Sequence, residues 1–225
     1  KAIKPILDGR KIVLATNVAE TSLTIEGIET VIDSGLSKRS IYDPNSGMAR
    51  LVTQKISKSE ANQRMGRAGR LHPGICYKLW SKTQDGSFSD FPPSEIENSD
   101  LTPFALELAL WGSNINELAL LTRPKKKALA EAYKVLEMLG AVNEQLQITK
   151  NGRSLSKIPL HPRLAKIILA GGKDATLLAS ILSNGDPLNN MNNSDINVRI
   201  SSIKNYQNQK SDSSYSLKAP IVREI

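Results

Sequence analysis

Apolar and polar positions along this 225-residue chain follow two different rhythms, and the change falls near residue 81. Before it, short apolar runs alternate with turn residues. KIVLAT at 11–16 has the compact apolar run of a strand buried on both faces of a parallel sheet. IETVID at 28–33 is a second strand candidate. SKRSIYD and MARLVT flank PNSG at 44–47, whose proline, asparagine and glycine are turn formers, so a β-hairpin is predicted there. From Ser81 the stretch SKTQDGSFSDFPPSE is polar and proline-bearing, the texture of a linker rather than a core element. Helical spacing follows. Phe104, Leu108 and Trp111 fall at i, i+4, i+7, and Leu129, Ala132, Tyr133, Leu136 and Leu139 form a second stripe, with Gly140 as its C-terminal stop.

QLQIT at 145–149 alternates like an edge strand, NGRSLSKIPLHP supplies turns, and RLAKIILAGG is helical again. Helix, helix, small hairpin, helix is the outline of a winged-helix domain. ATLLASIL and INVRISSI predict further helices, and the asparagine- and serine-rich stretches around Asn189 and Ser211 read as loops or disorder. No internal repeat is visible.

Composition narrows the class. A 40% hydrophobic fraction supports a folded core, no apolar run is long enough to span a membrane, and no signal segment opens the chain, so a cytoplasmic location is expected. The one cysteine, Cys76, has no disulfide partner and no zinc-ligand neighbours, and reads as packing. Net charge is +8, and it is unevenly placed. Residues 50–82 carry eight lysines and arginines against one acid, Glu60, whereas 85–117 carry seven acids and no base. Either two solvated faces of opposite sign or a phosphate-facing segment followed by an acidic connector accounts for this.

The basic segment contains QRMGRAGR at 63–70, with three arginines and two glycines. Glycine in a helix interior costs roughly 1 kcal/mol relative to alanine, so an ordinary surface helix would not use it. Ser57 and Glu60 match the S-x-x-E capping box, which starts a helix near Lys58 running toward Gly69. On that helix Ala61, Met65 and Ala68 form an apolar stripe, while Gln63, Arg67 and Arg70 share another face; Arg64 points elsewhere. Two guanidinium forks and a carboxamide on one face suit the equatorial oxygens of a transferring phosphoryl group. A basic helix end that grips any phosphate backbone uses the same residues.

ATNVAETSLTI at 15–25, followed about 40 residues later by QRMGRAGR, resembles motifs V and VI of the DEAH-box RNA helicases in order and separation. The intervening segment with its hairpin is similar as well, and GICYKLW and LTPFALELALWG point to the bacterial HrpB-type branch. The resemblance implies an α/β fold: part of a RecA-like parallel-sheet domain over 1–81, a linker over 82–100, a mostly α winged-helix domain over 101–171, and the start of a helical, ratchet-like domain with polar loops over 172–225. The chain opens in what reads as the middle of a domain. By position, the resemblance makes Gln63 a contact to the nucleotide phosphates and Arg67 and Arg70 arginine fingers. It makes Thr24 a nucleotide contact and puts Glu26 where the family usually has an aspartate for the ribose. Thr16 and Asn17 match RNA-backbone positions, and Thr21 and Ser22 link the two sites. Capping of the following turn is the competing role for Thr16, Asn17, Thr21 and Ser22.

ATP and magnesium are the implied cofactors, yet G-x-x-x-x-G-K-[ST] and D-E-A-H do not occur in the 225 residues. The chain is therefore expected to supply one wall of an ATP site, with no magnesium ligand of its own, and to be inactive alone. The implied partners are single-stranded or partly duplex RNA and an N-terminal RecA-like domain of the same protein, with no membrane. The rival is a non-catalytic nucleic-acid-binding module with a phosphate-gripping arginine helix. His72 and His161 lack ligand-type neighbours. Lys125, Lys126 and Lys127 sit at a helix start, where a solvated helix end and a phosphate contact are both open. Aromatics, at 4%, are too sparse for base stacking.

Overall fold

The computed structural model describes residues 9–21, 25–70, 72–172, 174–189, 193–208 and 216–224. The chain divides into two compact units, the first reaching Asp100 and including Thr122–Pro124, the second taking the remainder.

In the first unit, helix α1 (Val18–Thr21) precedes strand β1 (Thr30–Asp33), hairpin strands β2 (Leu36–Asp43) and β3 (Met48–Lys55), helix α2 (Lys58–Met65), strand β4 (Ile75–Lys78) and helix α3 (Lys82–Gly86). β1 and β4 pair in parallel, Thr30 opposite Ile75 and Asp33 opposite Lys78. β2 and β3 pair antiparallel from Leu36–Lys55 to Asp43–Met48 around the predicted turn. The fold is thus α/β, as the texture of the chain indicated. Residues 11–16, however, form no strand: Ile12 is 87% and Leu14 95% exposed. A run suited to burial on both faces needs neighbours on either edge, and among the described residues no strand pairs with it.

Ile56, Ala61 and Phe88 are buried together, with Trp80 packed against them and its ring centroid 5.4 Å from that of Phe88. The 82–100 stretch, expected as a linker, therefore contributes Phe88 to this packing. The Trp80 indole donates to Asp85 at 2.7 Å.

The second unit contains α4 (Thr102–Trp111), α5 (Lys126–Met138), α6 (Lys150–Leu155), α7 (Pro162–Ala170), α8 (Ala175–Asn184), α9 (Ile196–Gln207) and α10 (Ala219–Glu224). α4 packs on α5, α6 and α7, and α7 on α8. The α4 stripe is rotated from the expected one. Leu101, Ala105, Leu106, Leu108 and Ala109 are buried, whereas Trp111 is 63% exposed. At 3.6 residues per turn Trp111 lies about 120° around the helix from Ala105, outside the buried arc. The α5 stripe is as expected, with Ala132 and Leu136 at its centre. The helix ends in a Schellman turn: the Gly140 and Ala141 amides donate to the Glu137 and Leu136 carbonyls, both at 2.8 Å, with Gly140 at φ 67°.

QLQIT yields a single bridge, Val142 to Ile148, rather than a strand. NGRSL, expected as turns, is instead the body of α6. The Thr149 hydroxyl accepts from the Gly152 amide at 3.0 Å and starts a helix that the glycine alone would not favour. Arg199 of α9 grips Asp186 with two bonds of 3.1 and 2.6 Å, fixing the turn after α8. Asn189 is exposed and bonded to Ser216; Ser211 lies outside the described residues.

Candidate nucleotide and nucleic-acid site

The capping box forms as read. Ser57 Oγ accepts from the Glu60 amide at 3.3 Å, and Glu60 Oε2 accepts from the Ser57 amide at 2.7 Å. Arg39 Nη2 on β2 donates to both Glu60 oxygens at 2.6 Å, so the start of α2 is clamped to the hairpin. Burial works to raise the Glu60 pKa, but hydrogen bonds from the Ser57 hydroxyl and amide, and the Arg39 charge, bring it below its ordinary 4.5. A carboxylate depressed in the folded state stabilises above the unfolded value and loses that contribution as pH falls through the lower, folded value. Glu60→Gln is therefore expected to lower stability at neutral pH, with the gap to wild type closing below about pH 4.5 in denaturation curves.

α2 does not reach Gly69. It ends at Met65, and the chain tightens into i→i+3 turns, the Arg67 amide donating to the Arg64 carbonyl at 3.0 Å and Ala68 to Met65 at 3.1 Å. Two glycines in four residues remove the helix's advantage there. Gln63 is thus helical, Arg67 lies in the turn and Arg70 just past it, so the three do not share one α-helical face. Ala68 is buried, and Gly74 approaches it so closely that a Cβ would sit 1.8 Å from the Ala68 carbonyl oxygen. That contact pins the turn against the start of β4. A Cβ on Gly69 would meet nothing within 4 Å.

The three arginines have separated roles. Arg64 turns inward: Nε donates to Glu20 Oε2 at 3.1 Å, Nη1 to Asp33 Oδ1 at 2.9 Å and to the Leu36 carbonyl at 3.1 Å. These side chains are nearly closed off, at 15% exposure for Arg64, 11% for Glu20 and 3% for Asp33. Burial works against the Arg64 charge, yet the bonds to Glu20 and Asp33 raise its pKa above the ordinary value. Arg67, half-buried, donates from Nη2 to the Glu20 backbone carbonyl. Arg70 and Gln63 are exposed.

Glu20 is therefore the joint between the two motif segments, its carboxylate held by Arg64 and its carbonyl by Arg67. Sequence reading passed over it and Asp33, although an acid closing an apolar strand and one inside ATNVAETSLTI were both visible. Thr16 and Asn17 have exposed side chains, and their carbonyls accept from the Ala19 and Glu20 amides at 3.2 and 2.9 Å, opening α1. Thr21 ends α1; its side chain, Ser22 and Thr24 lie outside the described residues. Glu26 is exposed in the next turn. His161 caps α7, its Nδ1 accepting from the Arg163 amide at 3.2 Å, and His72 is exposed. Cys76 is half-buried, which pushes its thiol pKa up. Among the described residues, no group of three or more His, Cys, Asp or Glu could hold a metal ion. Among them, too, no helix is long and apolar enough to cross a membrane.

Residues 2–72 match the helicase conserved C-terminal domain. The chain is 39% identical over 205 residues to the ATP-dependent RNA helicase HrpB of Escherichia coli, an alignment covering 89% of this chain and 25% of that protein. It is 42% identical over 188 residues to the ATP-dependent RNA helicase DEAH11, chloroplastic, of Arabidopsis thaliana, covering 80% of this chain and 10% of the relative. The crystal structure of Escherichia coli DEAH/RHA helicase HrpB superposes with a TM-score of 0.80 at 39% identity, over 89% of this chain and 26% of that one. The chain spans about a quarter of the length of HrpB or less of its longer relatives.

Proposed function

Because the chain belongs to the DEAH-box family of ATP-dependent RNA helicases, we propose that it is the part of such an enzyme that converts ATP hydrolysis into movement along RNA. On this reading residues 1–81 are the C-terminal part of the second RecA-like domain, 82–100 a linker, 101–171 a winged helix and 172–225 the start of a helical domain. The protein acts in the cytoplasm. Gln63, Arg67 and Arg70 take the nucleotide phosphates, which their donor chemistry fits: one carboxamide and two permanently charged forks. Thr24 and Glu26 serve the nucleoside side. An N-terminal RecA-like domain of the same protein supplies the phosphate loop and the magnesium ligands, and bound ATP supplies the scissile phosphoanhydride between the two domains.

The observation that carries the reading is the Glu20 joint. Arg67 is bonded through its guanidinium to the Glu20 carbonyl, so a change at the phosphate it faces alters its contact with α1. α1 spans Val18–Thr21, and its first turn is closed by the Thr16 and Asn17 carbonyls, so such a change reaches the residues assigned, with Ser22, to the RNA backbone. Such a linkage lets a change at the nucleotide alter the grip on RNA, and the reverse. The deciding measurement uses the full parent enzyme with Arg70→Ala, an exposed position, with a melting curve to check that the fold is kept. RNA-stimulated ATP hydrolysis should fall sharply while RNA affinity is retained. If the protein were a non-catalytic binding module, the same change would weaken RNA binding and flatten its salt dependence instead.

A further inference from the structure

The longest purely basic stretch outside that site lies in the second unit, where residues 145–173 carry six lysines and arginines and no aspartate or glutamate. Three of those cations, Lys150, Arg153 and Lys157, fall at i, i+3 and i+7 along α6 and the turn that follows it, and all three are exposed. Among the described residues none of the three is ion-paired, in contrast to Arg64, Lys58 and Arg199, which have carboxylate partners.

The face they form is fixed by what lies beneath it. Gly152 and Leu155, at i and i+3, are buried. A Cβ on Gly152 would lie 2.1 Å from the Ala141 carbonyl oxygen, so only glycine lets α6 sit this close to the end of α5. Asn151 donates to the Leu139 carbonyl at 2.8 Å, and Thr149 Oγ1 bonds the Gly140 and Ala141 carbonyls at 2.7 and 3.1 Å. A six-residue helix tied down in this way cannot roll, and its outward side is permanently cationic.

We propose that this side of α6, with Lys157, is a sequence-independent contact surface for the phosphate backbone of RNA, additional to the α1 residues; the proposal rests on the RNA-helicase reading. Phosphate contacts need only cations held in place, and they set affinity and salt dependence without reading bases. Residues 145–173 contain no phenylalanine, tyrosine or tryptophan, so there is no platform for base stacking. The same lack removes the aromatic anchors on which protein–protein hot spots depend, which disfavours an acidic protein as the occupant.

The test measures binding of fluorescent oligouridine and oligoadenosine to the full parent helicase across a salt series. Neutralising the three cations together, Lys150→Gln with Arg153→Gln and Lys157→Gln, should lower the slope of log affinity against log salt by about 2, since each single-strand phosphate contact contributes about 0.7. The reduction should be equal for both oligomers. Lys157→Gln alone, in the turn, should lower it by about 0.7 without touching the helix, and Lys150→Arg with Lys157→Arg should keep the wild-type slope. An unchanged slope in the neutralised variants, or a change confined to one base, overturns the proposal. If wild type binds RNA and Arg70→Ala loses hydrolysis while the neutralised variant keeps its slope, this surface alone is wrong. If wild type shows no salt-dependent RNA binding, the helicase reading falls with it.

Discussion

On the proposed helicase function, Arg67→Ala in the full-length protein is expected to lower the turnover of RNA-stimulated ATP hydrolysis by roughly 10³-fold or more, the range over which an arginine finger acts on a transferring phosphoryl group. The argument has two parts. A guanidinium is a planar fork of five donors, so it can hold a backbone carbonyl of its own chain and still face an oxyanion. Arg67 is already held at the Glu20 carbonyl, so it is half pre-positioned and spends little side-chain entropy on ordering in the transition state. Arg67→Lys keeps the charge but offers a single ammonium in place of the fork. It should therefore recover little of the lost rate. The loss should fall on kcat rather than on KM for ATP, because the interaction strengthens as charge develops on the phosphoryl oxygens. A variant that lost RNA affinity and hydrolysis in equal measure would show Arg67 to be a phosphate-backbone grip and not a finger. Melting curves separate either outcome from simple detachment of α1.

What could be read from the amino-acid order alone follows the range over which each feature is determined. The capping box at Ser57 and Glu60 and the hairpin around residues 44–47 are settled by neighbours within a few residues, and both form as read. Residues 11–16 have the right texture for a central strand, but a strand exists only through its hydrogen-bonded partners. Ile12 and Leu14 lie open instead. The end of α2 was legible in principle. Gly66 and Gly69 fall inside the helix expected to run toward Gly69, and their effect is to stop it at Met65. Charge was the least legible property. Lys58 is bonded to Asp90 at 2.8 Å and Lys78 lies 3.8 Å from Asp85, so the acidic stretch neutralises part of the basic one that precedes it. Helical spacing sets Arg64 apart from Arg67 and Arg70, as the structure bears out, but its partners Glu20 and Asp33, 44 and 31 residues away, come only from the coordinates. Which carboxylates an inward-facing arginine meets is a tertiary fact.

That inward arginine carries the second large effect. Arg64→Ala leaves the Glu20 and Asp33 carboxylates without their shared guanidinium in a largely buried site, and removing one partner of a buried ion pair costs about 3–5 kcal/mol. One Asp33 oxygen, Oδ2, is already buried with no hydrogen-bond partner among the described residues, so the site has no slack to absorb a second loss. Thermal melts of the chain should show a fall of several degrees, with Arg64→Lys in between because an ammonium cannot span both carboxylates and the Leu36 carbonyl. Replacing the charges together, Arg64→Met with Glu20→Gln and Asp33→Asn, should recover much of the loss, since no buried charge is then left unpaired. A melt of Arg64→Ala indistinguishable from wild type would mean that water reaches the cluster and the pairs behave as surface pairs. The recovered triple variant separates stability from coupling. It folds without the Arg64–Glu20 bridge and keeps the Arg67 bond between the arginine turn and α1. Its ATP hydrolysis should consequently respond less steeply to RNA than that of the wild-type parent, at temperatures where both are fully folded.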